Sequence, residues 1–104
     1  MTFVGKVSDV APGRLLAIDV EGQRVAVANV DGRFFAIGDT CTHRGCSLSE
    51  GELSGTVVTC PCHGGQFDLT NGEVVGGPPR ESTPTYFVQV VGDEFRIGQD
   101  ADEA

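Results

Sequence analysis

The sequence predicts an all-β fold, and three features of the 104-residue chain indicate it. Apolar residues recur in short runs with a period near two, which is the period of a half-buried strand. The chain contains 15 glycines, which punctuate these runs. No stretch shows the period of an amphipathic helix, so we expect no helix longer than one turn. The length suits a single domain with one core.

Four apolar runs in the first half of the chain are predicted to be successive strands of one meander. These runs cover residues 2–7, 14–20, 24–30 and 33–37. Turn residues separate them at Ala11-Pro12-Gly13, Glu21-Gly22 and Asp31-Gly32. An Asp-Gly pair between two alternating runs is a strong signal for a hairpin.

The second half of the chain carries shorter strand signals. The predicted elements are a β-branched strand at residues 56–59, a hairpin at 68–75 that turns at Asn71-Gly72, and strands at 85–91 and 94–97 joined at Gly92-Asp93. We divide the single domain into a base of residues 1–38 and 83–98, an insertion at residues 39–82, and an acidic tail at residues 99–104. The last two strands are expected to return the chain to the base.

The charge of the chain excludes two classes of partner. Seven Lys and Arg residues stand against 15 Asp and Glu, which gives a net charge of -8. Such a surface repels phosphate, so we expect neither nucleic acid nor membrane as a partner. No stretch approaches the roughly 20 apolar residues of a membrane span, and the N-terminus lacks the pattern of a signal peptide. We therefore expect a soluble, cytoplasmic protein.

Two short motifs carry the chemistry, namely Cys41-Thr42-His43 and Cys60-Pro61-Cys62-His63. Each motif offers one thiolate followed closely by one imidazole. One iron with two thiolates and a second iron with two imidazoles is the ligation of a Rieske [2Fe–2S] centre. Two Cys and two His also satisfy tetrahedral zinc, although no helical pattern follows either motif. A framework of two disulfides is a further alternative, but it leaves both histidines unexplained.

On these motifs and the strings CTHRGC and CPCHG, the chain resembles the Rieske ferredoxin family. The resemblance implies a Rieske fold, which is an antiparallel sandwich or barrel-like base with an inserted cluster-binding subdomain. It also implies one [2Fe–2S] cluster per chain, held by Cys41, His43, Cys60 and His63, with Nε2–H of both histidines at the surface. Residues 2–52 look much like the soluble ferredoxins that serve aromatic-ring dioxygenases.

The remaining two cysteines give a different subfamily signal. High-potential Rieske proteins carry an extra cysteine pair that forms a disulfide, whereas dioxygenase-type ferredoxins usually lack it. Cys46 and Cys62 match that pair, so the resemblance implies a disulfide that ties the two ligand loops together. The alternative is two free, buried thiols in a reducing cytoplasm.

Residues around the motifs also match or depart from the family pattern. Gly65 and Phe67 stand where high-potential members carry serine and tyrosine. Hydrogen bonds to cluster sulfurs raise the potential, so the missing hydroxyls imply a value below the top of the Rieske range. Pro78 and Pro79 match the family's proline loop, and the glycines before Pro78 and at residues 64–65 suit close backbone approach. Together these residues form the expected surroundings of the cluster.

Arg44 stands where quinol-oxidising Rieske subunits carry an apolar docking residue. A charge at this position argues against quinol docking and makes Arg44 a candidate for docking a protein partner. The resemblance implies a monomeric electron carrier between a flavin-dependent ferredoxin reductase and the terminal oxygenase of an aromatic-ring-hydroxylating dioxygenase. No residue pattern indicates a catalytic role, so we do not expect an enzyme. The alternatives are a Rieske subunit of a nitrite reductase or arsenite-oxidase-like complex, and a zinc-binding interaction module.

Overall fold

The computed structural model describes residues 3–40, 46–62, 64–77 and 81–98. In this part of the chain the structure consists of antiparallel strands and two three-residue 3₁₀ helices, Val7–Asp9 and Leu48–Glu50, so the prediction of an all-β fold is confirmed. The strands are β1 (Phe3–Lys6), β2 (Leu15–Val20), β3 (Gln23–Val30), β4 (Arg33–Gly38), β5 (Glu52–Ser54), β6 (Val57–Thr59), β7 (Gln66–Asp68), β8 (Val74–Gly76), β9 (Thr85–Tyr86), β10 (Val88–Val91) and β11 (Glu94–Ile97). None of the helices in these ranges has the length or the apolar character that crossing a membrane requires.

The strands form three sheets, which we number in chain order of their first strands. The first sheet has the order β1-β11-β10, the second β2-β3-β4-β9, and the third β5-β6-β7-β8. All strands of the third sheet come from residues 52–76, inside the segment that the sequence predicted to be an insertion. The sheet that carries the second cysteine motif is therefore separate from the other two.

The two predicted hairpins of the second sheet are confirmed. Asp31 and Gly32 have φ angles of 52° and 92°, and Glu21 and Gly22 have 51° and 85°. Positive φ at both central residues is the geometry of a type I′ turn, whose twist matches that of the flanking strands. Val20 pairs with Gln23 and Val30 pairs with Arg33, so each turn has two residues between the paired strand ends.

The prediction that the first four strands form one meander is wrong for β1. This strand pairs with β11 at the other end of the chain, with Phe3 opposite Ile97. A 3₁₀ helix follows β1, and the amide of Val7 donates a hydrogen bond to the carbonyl of Asp93 at 2.8 Å, which keeps the chain beside the last hairpin. Alternation of apolar residues shows that a strand has a buried face but does not identify its neighbour.

Two further differences concern short elements. The predicted strand at residues 85–91 is divided at Phe87 into β9 of the second sheet and β10 of the first. The amide of Gly98 donates to the Phe87 carbonyl at 2.9 Å, so this residue is held at the crossing point. Strand β5 was not predicted, because a three-residue strand with one apolar residue gives no alternation to detect.

Strand β3 is buried on both faces and lies between the two cores of the domain. Val25 and Val27 pack with Phe95 in the cluster between the first and second sheets. Ala26 and Ala28 point to the opposite face, where the cluster contains residues of the third sheet. The second sheet is therefore the middle layer, and the third sheet packs against the face that carries Ala26, Ala28 and Ile37.

Gly72 connects the turn between β7 and β8 to the second sheet. Its carbonyl accepts a hydrogen bond from the amide of Thr83 at 2.8 Å, and the hydroxyl of Thr83 donates to the carbonyl of Gly38 at 3.3 Å. A Cβ atom on Gly72 would collide with the Thr83 carbonyl oxygen, and the φ of Gly72 is +76°. Only glycine fits this position without a shift of the backbone.

We expect Gly72→Ala to destabilise the domain by more than Gly55→Ala does. Gly55 has φ +58° and no atom within 4 Å of the position that a Cβ would take, so its replacement carries only the left-handed strain, which costs about 1–2 kcal/mol. At Gly72 the collision adds an overpacking cost of about 1–3 kcal/mol. Urea denaturation of the two variants measures the difference in stability. Equal urea midpoints would contradict the described contact between Gly72 and Thr83.

Candidate metal centre

The structure describes one of the four predicted metal ligands. Cys60 directly follows β6 and is described, whereas Cys41, His43 and His63 lie outside the described residues. Arg44, Pro78 and Pro79 also lie outside them. The ligand set therefore stays a prediction, and the structure bears on it through the residues that flank the ligands.

The ends of the first motif's loop are held side by side. Thr40 and Ser47 form an isolated antiparallel bridge. The carbonyl of Asp39 accepts from the amide of Leu48 at 2.6 Å, and its Oδ1 accepts from the amide of Ser49 at 2.8 Å. These bonds bring the start and the end of the loop to one point, beside the end of β4.

Asp39 was not singled out by the sequence analysis, although it supports this loop. Its carboxylate is buried, and Oδ2 lies 3.6 Å from the guanidinium of Arg24 on β3. Its amide also donates to the Arg24 carbonyl at 3.0 Å. A buried carboxylate is tolerated only when it is paired and hydrogen-bonded, as it is here. An acidic residue directly after an apolar strand and two residues before Cys41 was the signal available in the sequence.

The second motif lies in a six-residue loop between β6 and β7. The strands end at the pair Thr59↔Gln66. The amide of Cys60 then donates to the Gly65 carbonyl at 2.6 Å, and the amide of Gly64 donates to the Cys60 carbonyl at 3.2 Å. Cys60 itself is only 2% exposed and belongs to the core cluster that contains Val58 and Phe67. The thiol is therefore fixed at the boundary between the core and the loop.

Two of the glycine segments around the motifs approach each other closely at Gly77. A Cβ atom on Gly77 would lie 2.7 Å from the Cα of Gly65 and 2.8 Å from the carbonyl oxygen of Gly64. Contacts this short do not occur between real Cβ atoms and backbone, so the segment after β8 packs on the second loop only as glycine.

A disulfide between Cys46 and Cys62 joins the two loops, as the resemblance implied. The Cα atoms of the pair are 6.4 Å apart. Cys62 is exposed and Cys46 is half-buried. The sulfur atoms of Cys46, Cys60 and Cys62 all lie within 4.8 Å of one another. The cross-link therefore lies directly beside the candidate ligand.

The described residues fit an iron–sulfur cluster. Among the three cysteines that the structure describes, Cys46 and Cys62 share a disulfide, so Cys60 is the one that offers a thiolate to iron. Its apolar neighbours limit access of water to the thiolate, as the shell of a redox site requires. A cavity of about 400 Å³ beside Cys60 is lined by Glu50 and Glu52, which makes it a poor site for an anionic ligand.

Two pKa shifts in the described part of the chain have structural causes. The side-chain hydroxyl of Thr70 donates to Oδ1 of Asp68 at 2.7 Å and its amide does so at 2.8 Å, and these bonds lower the pKa of Asp68. Burial raises the pKa of Tyr86, whose hydroxyl donates to Gln23. Asp68 thus caps the turn that leads to β8, and neither shift marks an acid–base site.

The family model of the Rieske [2Fe-2S] domain matches residues 1–87 of the chain. The chain is 44% identical, over 100 residues, to the biphenyl dioxygenase ferredoxin subunit of Pseudomonas sp. (strain KKS102), covering 93% of this chain and 92% of that protein. The fold is also similar to a chain in the complex of reduced oxygenase and oxidized ferredoxin in carbazole 1,9a-dioxygenase. That match has a TM-score of 0.86 and 34% identity, and it covers 96% of each chain.

A putative nitrite reductase (NADPH) small subunit is a more distant neighbour. It superimposes with a TM-score of 0.80 and covers 90% of this chain and 93% of that one, but the identity is 21%. A likeness at this level shows the fold alone. The alternative of a nitrite reductase subunit thus gains no support beyond the shared fold.

We expect Gly77→Ala to lower the metal content of the purified chain. Its Cβ would push the second loop away from the segment after β8 and so displace Cys60 or its neighbours. Gly55→Ala is the matched control, because it shares the positive φ but meets no atom within 4 Å. Iron per folded chain, measured together with circular dichroism, checks this. The same iron content in both variants would contradict the described contact.

Proposed function

Because the chain belongs to the Rieske [2Fe–2S] domain family, we propose that it is a soluble, cytoplasmic ferredoxin. It carries single electrons from a flavin-dependent ferredoxin reductase to the terminal oxygenase of an aromatic-ring-hydroxylating dioxygenase system. The observation that carries this proposal is the identity to a dioxygenase ferredoxin subunit along nearly the whole of both chains. The similarity to the ferredoxin of an oxygenase–ferredoxin complex supports the oxygenase as partner.

We assign Cys41, His43, Cys60 and His63 as the ligands of one cluster per chain. When bound, this group supplies a reversible one-electron change at a potential raised by the two imidazoles. The chain's own residues set the conditions for that change. Cys60 lies against Val58 and Phe67, which keep water from its thiolate.

The ligand assignment leaves no histidine for acid–base catalysis. Its sequence contains two histidines in all, and both belong to the ligand motifs. A histidine that binds iron does not serve as a general base. Electron transfer through the two imidazoles is therefore the activity that the ligand set supports.

Partner recognition depends on charge. The net charge of -8 favours a redox partner with a basic docking surface. Arg44, in the first motif's loop, is the residue that we assign to docking, since it departs from the apolar residue of quinol-oxidising subunits. The charge at this position distinguishes a protein-docking tip from a quinol-docking one.

The proposed function is tested by electron transfer from a purified flavin-dependent ferredoxin reductase. We expect rapid reduction of the chain, with a rate that falls as salt rises, because steering between charged surfaces is screened within about 10 Å at 0.1 M. Arg44→Glu should change this rate and leave the visible spectrum unchanged. Efficient reduction by quinol, with no salt dependence towards any ferredoxin reductase, would instead indicate a respiratory subunit.

We expect Phe67→Tyr to raise the midpoint potential. Phe67 is fully buried in the same cluster as Cys60. A hydroxyl there that donates to a cluster sulfur favours the reduced state, as Gly65→Ser would on the neighbouring loop. Phe34→Tyr is the matched control, because it adds the same group in the cluster between the first and second sheets. Protein-film voltammetry measures the midpoint potentials of both tyrosine variants. Equal potentials would show that Phe67 does not contact the cluster.

A further inference from the structure

Three cysteine sulfurs lie together beside the proposed cluster site, and their arrangement allows chemistry beyond cross-linking. The Sγ atoms of Cys46, Cys60 and Cys62 are within 4.8 Å of one another, and a disulfide already joins Cys46 and Cys62. A thiolate this close reaches a disulfide by rotation about its side-chain bond. We propose that these cysteines form a thiol–disulfide exchange site, in which Cys60 of the cluster-free chain attacks the disulfide.

The exchange needs no external oxidant. The thiolate electron pair of Cys60 forms a new bond to Sγ of Cys46, and the bond between Cys46 and Cys62 breaks. Its electron pair leaves with Cys62, which becomes a thiolate and takes up a proton from water. One disulfide and one thiol exist before and after the step, so only their positions change.

Burial determines the direction of the attack. Cys62 is exposed, so its thiolate leaves into water, which stabilises the charge. Attack on Cys62 would instead close a disulfide across Pro61, whose ring fixes its φ and resists so small a loop. The product is therefore a Cys46–Cys60 disulfide with a thiol at Cys62.

This exchange couples the disulfide to the state of the cluster site. The inference rests on the proposed function in one respect, namely that Cys60 is a ligand of the cluster. While iron holds the Cys60 thiolate, the thiolate does not attack, and the Cys46–Cys62 bond persists. After the cluster is lost, exchange places Cys60 in a disulfide, where it is protected from oxidation to sulfinic acid. A thiol reductant then reduces the Cys46–Cys60 disulfide, and Cys60 is again available as a ligand.

Peptide mapping under anaerobic conditions tests the exchange. Wild-type chain is stripped of iron with a chelator, incubated without reductant, quenched with acid and alkylated with N-ethylmaleimide. We expect two labels per chain, at Cys41 and Cys62, and a Cys46–Cys60 disulfide. The loaded chain, alkylated without the chelator step, should show no label at Cys62. Labels at Cys41 and Cys60 with Cys46–Cys62 intact would overturn the proposal, as would a new disulfide that contains Cys41.

Cys60→Ser is the matched control for the attacking residue. Its stripped chain should carry one label, at Cys41, and keep the Cys46–Cys62 disulfide. A label at Cys62 in this variant would overturn the role of Cys60. The proposed function is read separately from the iron content and visible spectrum of the wild-type chain before stripping. A colourless, iron-free chain would contradict that function, while the peptide map would still report on the exchange.

Discussion

The burial of β3 on both faces is the constraint on which the rest of the structure depends. This strand carries valines towards the first sheet and alanines towards the third. Because side chains alternate between the two faces of a strand, the eight residues of β3 contribute to both cores and so join the three layers of the domain. Replacing the small Ala26 or Ala28 with a large side chain would push the third sheet, and Cys60 with it, away from the base.

The loops that hold the candidate ligands are positioned by backbone pairs in the described residues. The Thr40–Ser47 bridge closes one loop, and the hydrogen bonds of Cys60 with Gly64 and Gly65 close the other. The disulfide joins the two loops, and the segment that contains Gly77 packs on the second loop. Such a framework limits reorganisation around the metal, which a carrier of electrons requires of its site.

The sequence predicted those elements whose signal is local. The turns at Glu21-Gly22 and Asp31-Gly32 were correct because their backbone angles restrict the residue type. The pairing of β1 with β11 was missed, because β11 lies at the far end of the chain. Apolar alternation predicts a strand but does not identify the strand with which it pairs. The cysteine pair was identified through resemblance, whereas the support from Asp39 was missed because one acidic residue in a loop has many ordinary explanations.

The central claim is that two imidazoles and two thiolates hold one pair of irons. Because the chain contains two histidines, ¹⁵N-histidine labelling gives an unambiguous probe of their binding to iron. Electron paramagnetic resonance of the reduced protein, with detection of nuclear couplings, is the most direct measurement. We expect couplings from two histidine nitrogens, one of which disappears in His43→Ala or His63→Ala if a cluster remains. A reduced [2Fe–2S] signal without coupling to histidine nitrogen would contradict it.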